Sequence, residues 1–206
     1  RGARGHDRIP GEAEARVGLL AAIVIAGGEA RRFGSDKLAL RDAQGRSLLD
    51  ATVTSVAGLA DPVIVVGPER PLTHDVQWTR EEPSGGGPCA ALIAGLALVP
   101  DGVTHVAVLA GDAPAGGDAV EALLRVIDDA AAAVVLDDTG REQPMTAVYR
   151  VDTLRGVIAS LGDGANRSIR EVLDALRPQT VVGILDAWAA SADIDVPRDA
   201  DRLGFT

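Results

Sequence analysis

The chain has 206 residues, 47% of them apolar and 24% charged, which suits one globular domain and is too apolar for a wholly disordered chain. A formal net charge of −10 and a pI near 4.7 leave no basic field for a phosphate backbone. With Phe33, Phe205, Trp78, Trp188 and Tyr149 as the whole aromatic set, generic DNA or RNA binding is not expected.

In chain order, residues 1–16 read as a loose polar tail, and residues 17–206 as a single α/β domain. The apolar run Val17 to Gly28 falls well short of the roughly 20 residues that span a bilayer. It resembles the core of a secretory signal, but the acidic Asp7, Glu12 and Glu14 before it and the glycine loop after it argue against that reading. One cysteine, Cys89, and three scattered histidines exclude an internal disulfide and a cysteine-based zinc site, so a reducing, cytoplasmic setting is expected, with no membrane contact.

Short, largely β-branched runs predict buried strands at Leu19 to Ile25, Val63 to Val66, Val106 to Leu109, Ala131 to Leu136 and Val181 to Leu185. Between them, helical spacing predicts helices over Ser47 to Leu59, Pro88 to Leu98, Asp118 to Asp129, Asp152 to Leu161 and Arg167 to Leu176. Pro88 suits a first helical turn, Asp118 suits an N-cap, and Ala130 to Ala133 reads as a helix end running into a strand. Strands alternating with helices imply crossover connections and a mainly parallel sheet covered on both faces, a three-layer Rossmann-like fold. Ligands in such sheets sit at the carboxyl ends of the strands.

The segment after the first strand is AGGEARRFGSDK, Ala26 to Lys37. Three glycines leave backbone N–H groups unshielded, and Arg31, Arg32 and Lys37 add positive charge, which is equipment for a polyphosphate. The plainer alternative is a strand-to-helix turn with solvated charges. The spacing of Gly27, Gly28 and Gly34 does not make a dinucleotide fingerprint, and Lys37 lacks the preceding glycine and following Ser or Thr of a Walker loop. A third type of phosphate loop is required.

The run IAGGEARRFGSDKLAL resembles the LAGGxxxRxGxxK signature of nucleotidyltransferases, and within them most resembles the molybdenum cofactor guanylyltransferases. EEPSGGGPCAALIAGL from Glu81, LAGDAPAGG from Leu109, GREQPMTAVYR from Gly140, NRSIREVL from Asn166 and DIDVPRDADRL from Asp193 follow in the same order. The resemblance implies that the backbone of Ile25, Ala26, Gly27 and Gly28 lies along purine and ribose, and that Arg32 and Lys37 hold phosphates. It places Glu82 where relatives carry a nucleotide-contacting aspartate, one methylene longer. Gly67 joins the nucleotide-binding set at a position where some relatives carry a side chain.

Asp112 follows the apolar strand and precedes Pro114, so its carboxylate enters the expected crevice, where the resemblance makes it the ligand of Mg2+. The plainer reading is a turn or cap aspartate. Relatives carry a bulky apolar residue in the DMPF or DLPF sequence, where this chain has Ala113 and Ala115. Asp193 and Asp195 alternate in a DID run and project to one face, which makes Asp195 a candidate second metal contact, with an acceptor-binding role or an N-cap as alternatives. Gln143, Pro144, Asn166, Arg167 and Arg170 fall on the acceptor side by resemblance, and a plain surface helix accounts equally well for the arginines. Cys89 reads as a packing residue.

The implied reaction is attack by the phosphate of a molybdopterin-type acceptor on the α-phosphorus of GTP, releasing pyrophosphate, with contacts to other molybdenum cofactor proteins as an expectation. Transfer of CMP to the same cofactor, transfer of GMP to another phosphorylated metabolite, and a nucleotide-binding regulator without turnover are the alternatives. The Ala113 and Ala115 departures favour the regulator. Joint retention of Arg32, Lys37 and Asp112 opposes it.

Overall fold

The structure is a computed structural model that describes residues 20–27, 36–177, 179–187 and 204–205. The expected tail over residues 1–16 lies outside them. Among the described residues, seven strands form one sheet: β1 (Leu20–Ile25), β2 (Val63–Val66), β3 (Gln77–Thr79), β4 (His105–Ala110), β5 (Ala132–Leu136), β6 (Glu142–Arg150) and β7 (Val181–Leu185). Their spatial order is β3-β2-β1-β4-β6-β5-β7. Of these seven strands, β6 runs opposite to the rest, pairing antiparallel with β4 and β5, while the other pairs are parallel.

Among the described residues, five α-helices cover the sheet: α1 (Leu48–Ala57), α2 (Pro88–Leu96), α3 (Gly116–Leu124), α4 (Val151–Ile158) and α5 (Ile169–Leu176). β1 sits at the centre and is buried on both faces, so it shows a continuous apolar run with no polar alternation. Its odd-numbered residues Ala21, Ile23 and Ile25 join Leu92, Leu154 and Leu173 in one core layer. Leu20, Ala22 and Val24 join Leu49, Val53 and Leu123 in the other. The result is the three-layer α/β arrangement that the strand–helix alternation predicts.

Helix starts follow local chemistry. The Ser47 hydroxyl accepts from the Asp50 N–H at the head of α1, and Pro88 opens α2. Ser168 and Glu171 form a reciprocal capping box at the head of α5, two residues into the predicted helix. α3 starts before the expected Asp118 cap, with Ala115 at the N-cap position and Asp118 in its first turn. Within that first turn α3 packs closely on α1: a Cβ on Gly117 would lie 1.9 Å from the Ser55 carbonyl oxygen, so only glycine allows this approach. α3 also ends at Leu124, so Ala130 and Ala131 lead into β5 from a loop and not from a helix end.

Candidate functional site

Three parallel strands end level with one another, with Ile25 of β1 paired to Val66 of β2 and to Ala110 of β4. The bonding continues past the strands. Ala26 N–H donates to the Val66 carbonyl at 2.8 Å, Gly111 N–H to the Ile25 carbonyl at 2.9 Å, and Gly67 N–H to the Thr79 carbonyl at 2.9 Å. These bonds make a floor of backbone at the carboxyl edge of the sheet. Gly67 is part of it for a steric reason, because a Cβ there would lie 2.8 Å from the Ala26 carbonyl carbon and 2.9 Å from its oxygen. The missing side chain at Gly67 is therefore tied to the close approach of β2 to the first loop.

Lys37 opens a short 3-10 turn, Lys37–Ala39. Asp112 leaves the end of β4 two residues later in the chain than Ala110. Lys37 Nζ donates to Asp112 Oδ2 at 2.5 Å, with both side chains largely covered. Two residues 75 apart in sequence, both singled out for their chemistry, thus meet at one point. Asp112 Oδ1 makes no hydrogen bond among the described residues. A lone, mostly buried carboxylate with an oxygen to spare suits a hard cation whose other ligands are phosphate oxygens and water. Among the described residues there is no cluster of three or more His, Cys, Asp or Glu side chains that could hold a metal ion.

The turn after β3 carries two carboxylates, and they point differently. Both Glu81 carboxylate oxygens lie 3.5 Å from the position a Cβ would take on Gly27, and Glu81 Oε1 accepts from Gly85 N–H at 3.1 Å. Glu81 is half-buried over the start of the glycine loop, while Glu82 is exposed. Sequence reasoning singled out Glu82 by resemblance and missed Glu81. The two stand side by side in one turn, and no periodicity tells which faces the sheet.

On the expected acceptor side, the loop before α5 meets the same turn. Asn166, in a left-handed conformation with φ of 60°, donates its N–H to the Gly86 carbonyl at 2.7 Å, and Cys89 N–H donates to the Arg167 carbonyl at 3.3 Å. Arg167 pairs with Glu171 at 3.1 Å on an exposed face. Arg170 is turned toward β6, where it donates to the Glu142 carbonyl and approaches Glu142 Oε2 at 3.4 Å. Gln143 donates to Asp137 Oδ2 at 2.8 Å, and the Pro144 carbonyl accepts from the Tyr149 hydroxyl at 2.7 Å. Hydrogen bonds from Thr139, with those from Arg141 and Gln143, hold the Asp137 carboxyl below the usual carboxylate range. Burial raises the Cys89 thiol, so it stays protonated and packs as a core residue.

Arg32, Gly28, Asp193 and Asp195 lie outside the described residues. Ile25, Ala26, Gly27, Lys37, Gly67 and Asp112 gather at the β1, β2 and β4 ends, with Glu81 above them and Glu82 on the rim. No helix among the described residues is long and apolar enough to cross a membrane.

The MobA-like NTP transferase domain family matches residues 22–181, which include every strand end just described. The chain is 34% identical over 168 residues to a probable molybdenum cofactor guanylyltransferase of Mycobacterium avium, covering 79% of this chain and 85% of the relative. It is 34% identical over 203 residues to one from Opitutus terrae, covering 91% of this chain and 96% of that protein. Among solved structures, molybdopterin-guanine dinucleotide biosynthesis protein A from Archaeoglobus fulgidus shares the fold with a TM-score of 0.66 at 18% identity, covering 89% and 96% of the two chains. With most of its length matched by the family and by relatives at this identity, the chain belongs to the MobA-like NTP transferase family, beside proteins named molybdenum cofactor guanylyltransferases.

Proposed function

We propose that this protein transfers GMP from GTP to the phosphate of a molybdopterin-type acceptor and releases pyrophosphate, in the cytoplasm. The observation that carries the reading is the meeting of Lys37 and Asp112 beside a floor of backbone at the ends of β1, β2 and β4. The relatives' names supply the nucleotide and the acceptor. The backbone of Ile25, Ala26, Gly27 and Gly28, with Gly67 beside it, is the seat for purine and ribose. Glu81 takes the nucleotide contact that resemblance gives to Glu82, because its carboxylate is the one that reaches Gly27.

The acceptor phosphate, with a second pKa near 6, is already mostly dianionic at pH 7, so the site needs no general base. Its work is charge management and alignment. Lys37 and Arg32 neutralise phosphate oxygens, and the loop amides donate to them. Asp112, and Asp195 if it approaches the same point, would hold a divalent cation, with Mg2+ the natural candidate. That cation supplies positive charge against the triphosphate and the departing pyrophosphate. Before nucleotide arrives, Lys37 and Asp112 satisfy each other, which offsets the cost of two mostly covered charges. When the triphosphate binds, Lys37 gains phosphate oxygens as partners and the Asp112 carboxylate becomes available.

Thermal shift measurements test the nucleotide assignment. GTP with magnesium raises the melting temperature more than CTP or ATP, because ligand bound by the folded state alone stabilises it by mass action. A larger shift with CTP moves the assignment to cytidylyl transfer, and no shift with any triphosphate removes the nucleotide from the account.

A further inference from the structure

Two buried polar side chains of α1 have no place in the mechanism above. Asp50 and Thr52 are 6% and 0% exposed in a helix whose buried neighbours are apolar. Buried polar groups are costly unless bonded, so their partners show what they hold. The Asp50 carboxylate accepts from Thr73 twice, from its N–H and from its hydroxyl, both at 2.7 Å. The Thr52 hydroxyl lies 3.0 Å from the Gly111 carbonyl and 3.1 Å from the Leu48 carbonyl one turn back in α1, and its single proton serves the two. Thr73 belongs to the β2–β3 connection, and Gly111 directly precedes Asp112.

The same connection carries Arg70, three residues before Thr73. Its guanidinium pairs with Asp36, which directly precedes Lys37, and its side chain is 23% exposed. Arg70 Nε is buried with no hydrogen-bond partner among the described residues, so burial of this arginine is balanced chiefly by the Asp36 pair. The contacts therefore close on themselves. Lys37 meets Asp112, Gly111 meets Thr52 on α1, Asp50 on the same helix meets Thr73, and Arg70 returns to Asp36 at the shoulder of Lys37.

We infer that Arg70 and Asp36, anchored through Thr73, Asp50 and Thr52, are positioning residues that set Lys37 against Asp112 before nucleotide binds. The catalytic consequence rests on the guanylyl-transfer reading, while the positioning does not. Half of the Asp36 side chain is open to solvent, which screens the pair and keeps its contribution to stability small, so it bears on the geometry of the lysine it adjoins more than on the folded state. The Ala39 and Leu40 amides, bonded to the Asp36 and Lys37 carbonyls at 3.0 and 3.2 Å, complete the turn that Arg70 clamps.

The test compares Arg70→Ala, Arg70→Lys, Asp36→Ala and the Arg70→Ala/Asp36→Ala double variant, with Arg70→Ala also placed in a Lys37→Ala background. Arg70→Ala is expected to lower GTP-dependent pyrophosphate release about ten- to a hundredfold, the usual cost of losing a group that orients a contacting residue. The loss falls on kcat more than on KM, melting temperature stays near that of the parent, and Arg70→Lys recovers most of the rate. Asp36→Ala matches Arg70→Ala, the double variant is no worse than either, and Arg70→Ala costs nothing further once Lys37 is gone. Hydrogen exchange without nucleotide is the independent arm: Arg70→Ala speeds exchange at Ala39 and Leu40 and leaves the β4 amides unchanged. Parental exchange at Ala39 and Leu40, or a rate loss additive with Lys37→Ala, overturns the inference. A parent protein that releases no pyrophosphate overturns the functional reading instead, and the exchange arm still decides the positioning.

Discussion

Gly67→Ala probes the floor of the site with the smallest possible addition. The new methyl would sit 2.8 Å from the Ala26 carbonyl carbon, 2.9 Å from its oxygen and 3.0 Å from Gly27 N, where ordinary contact begins at 3.4 Å. All three obstructing atoms are backbone, so no side chain can rotate away. The strain must be relieved by moving the β2 end from the first loop, which weakens the Ala26 N–H to Val66 carbonyl bond of 2.8 Å. Overpacking of this kind costs about 1–3 kcal/mol. For a chain of this size that is roughly 2–4 °C of melting temperature per kcal/mol. Because Gly27 moves with Ala26, the KM for GTP rises together with the loss of stability. Gly58→Ala is the control: φ of −82° and nothing within 4 Å make alanine acceptable there. That change is neutral or stabilising by up to about 1 kcal/mol. Differential scanning calorimetry and steady-state kinetics on both variants read the two effects. A Gly67→Ala protein with parental melting temperature and parental KM would refute the argument that close backbone approach requires glycine.

Glu81→Gln weakens GTP binding by calorimetry, while the exposed Glu82→Gln leaves it close to the parental value; the reverse order would return the contact to Glu82. Lys37→Ala and Arg32→Ala each lower turnover strongly with the circular dichroism spectrum unchanged, and parental rates in both would remove the phosphate loop from the account. Asp152, in the first turn of α4, is hydrogen-bonded by Arg150, which draws its carboxyl down to about 2 from an ordinary 3.8. A depressed carboxyl stabilises fully above its unfolded value and loses that contribution as pH falls through the folded one. The melting-temperature difference between the parent and Asp152→Asn is therefore constant near neutrality and closes from about pH 4 toward 2. A difference that persists unchanged at pH 2 would contradict the assignment.

What could be read from the residues followed burial. β1, β2, β4, β5 and β7 announce themselves because each is a β-branched or alanine-rich run between turn residues. β3 has three residues, too few for any pattern, and β6 begins with Glu142, Gln143 and Pro144, which give no β-branched run to mark a strand. β6 nevertheless sits between β4 and β5 and accounts for the antiparallel pairs that strand–helix alternation does not foretell. At the site, Lys37 and Asp112 were legible as separate candidates, since each follows a strand. Their contact was not, because nothing local relates residues 75 apart. The same holds for Arg70 and Asp36, 34 apart. Glu81 and Glu82 differ only in orientation, which the turn up to Gly87 decides.

In the proposed reaction Asp112 and Lys37 together carry GMP transfer. Incubating the protein with magnesium, molybdopterin and GTP labelled at the α-phosphate, beside an Asp112→Asn variant, tests it in one measurement. The expected outcome is label in a molybdopterin–GMP product with one pyrophosphate released for each, and a loss of most of that product in Asp112→Asn while GTP binding remains measurable. Label transfer by Asp112→Asn at the parental rate, or transfer from CTP in preference to GTP by the parent, would contradict it.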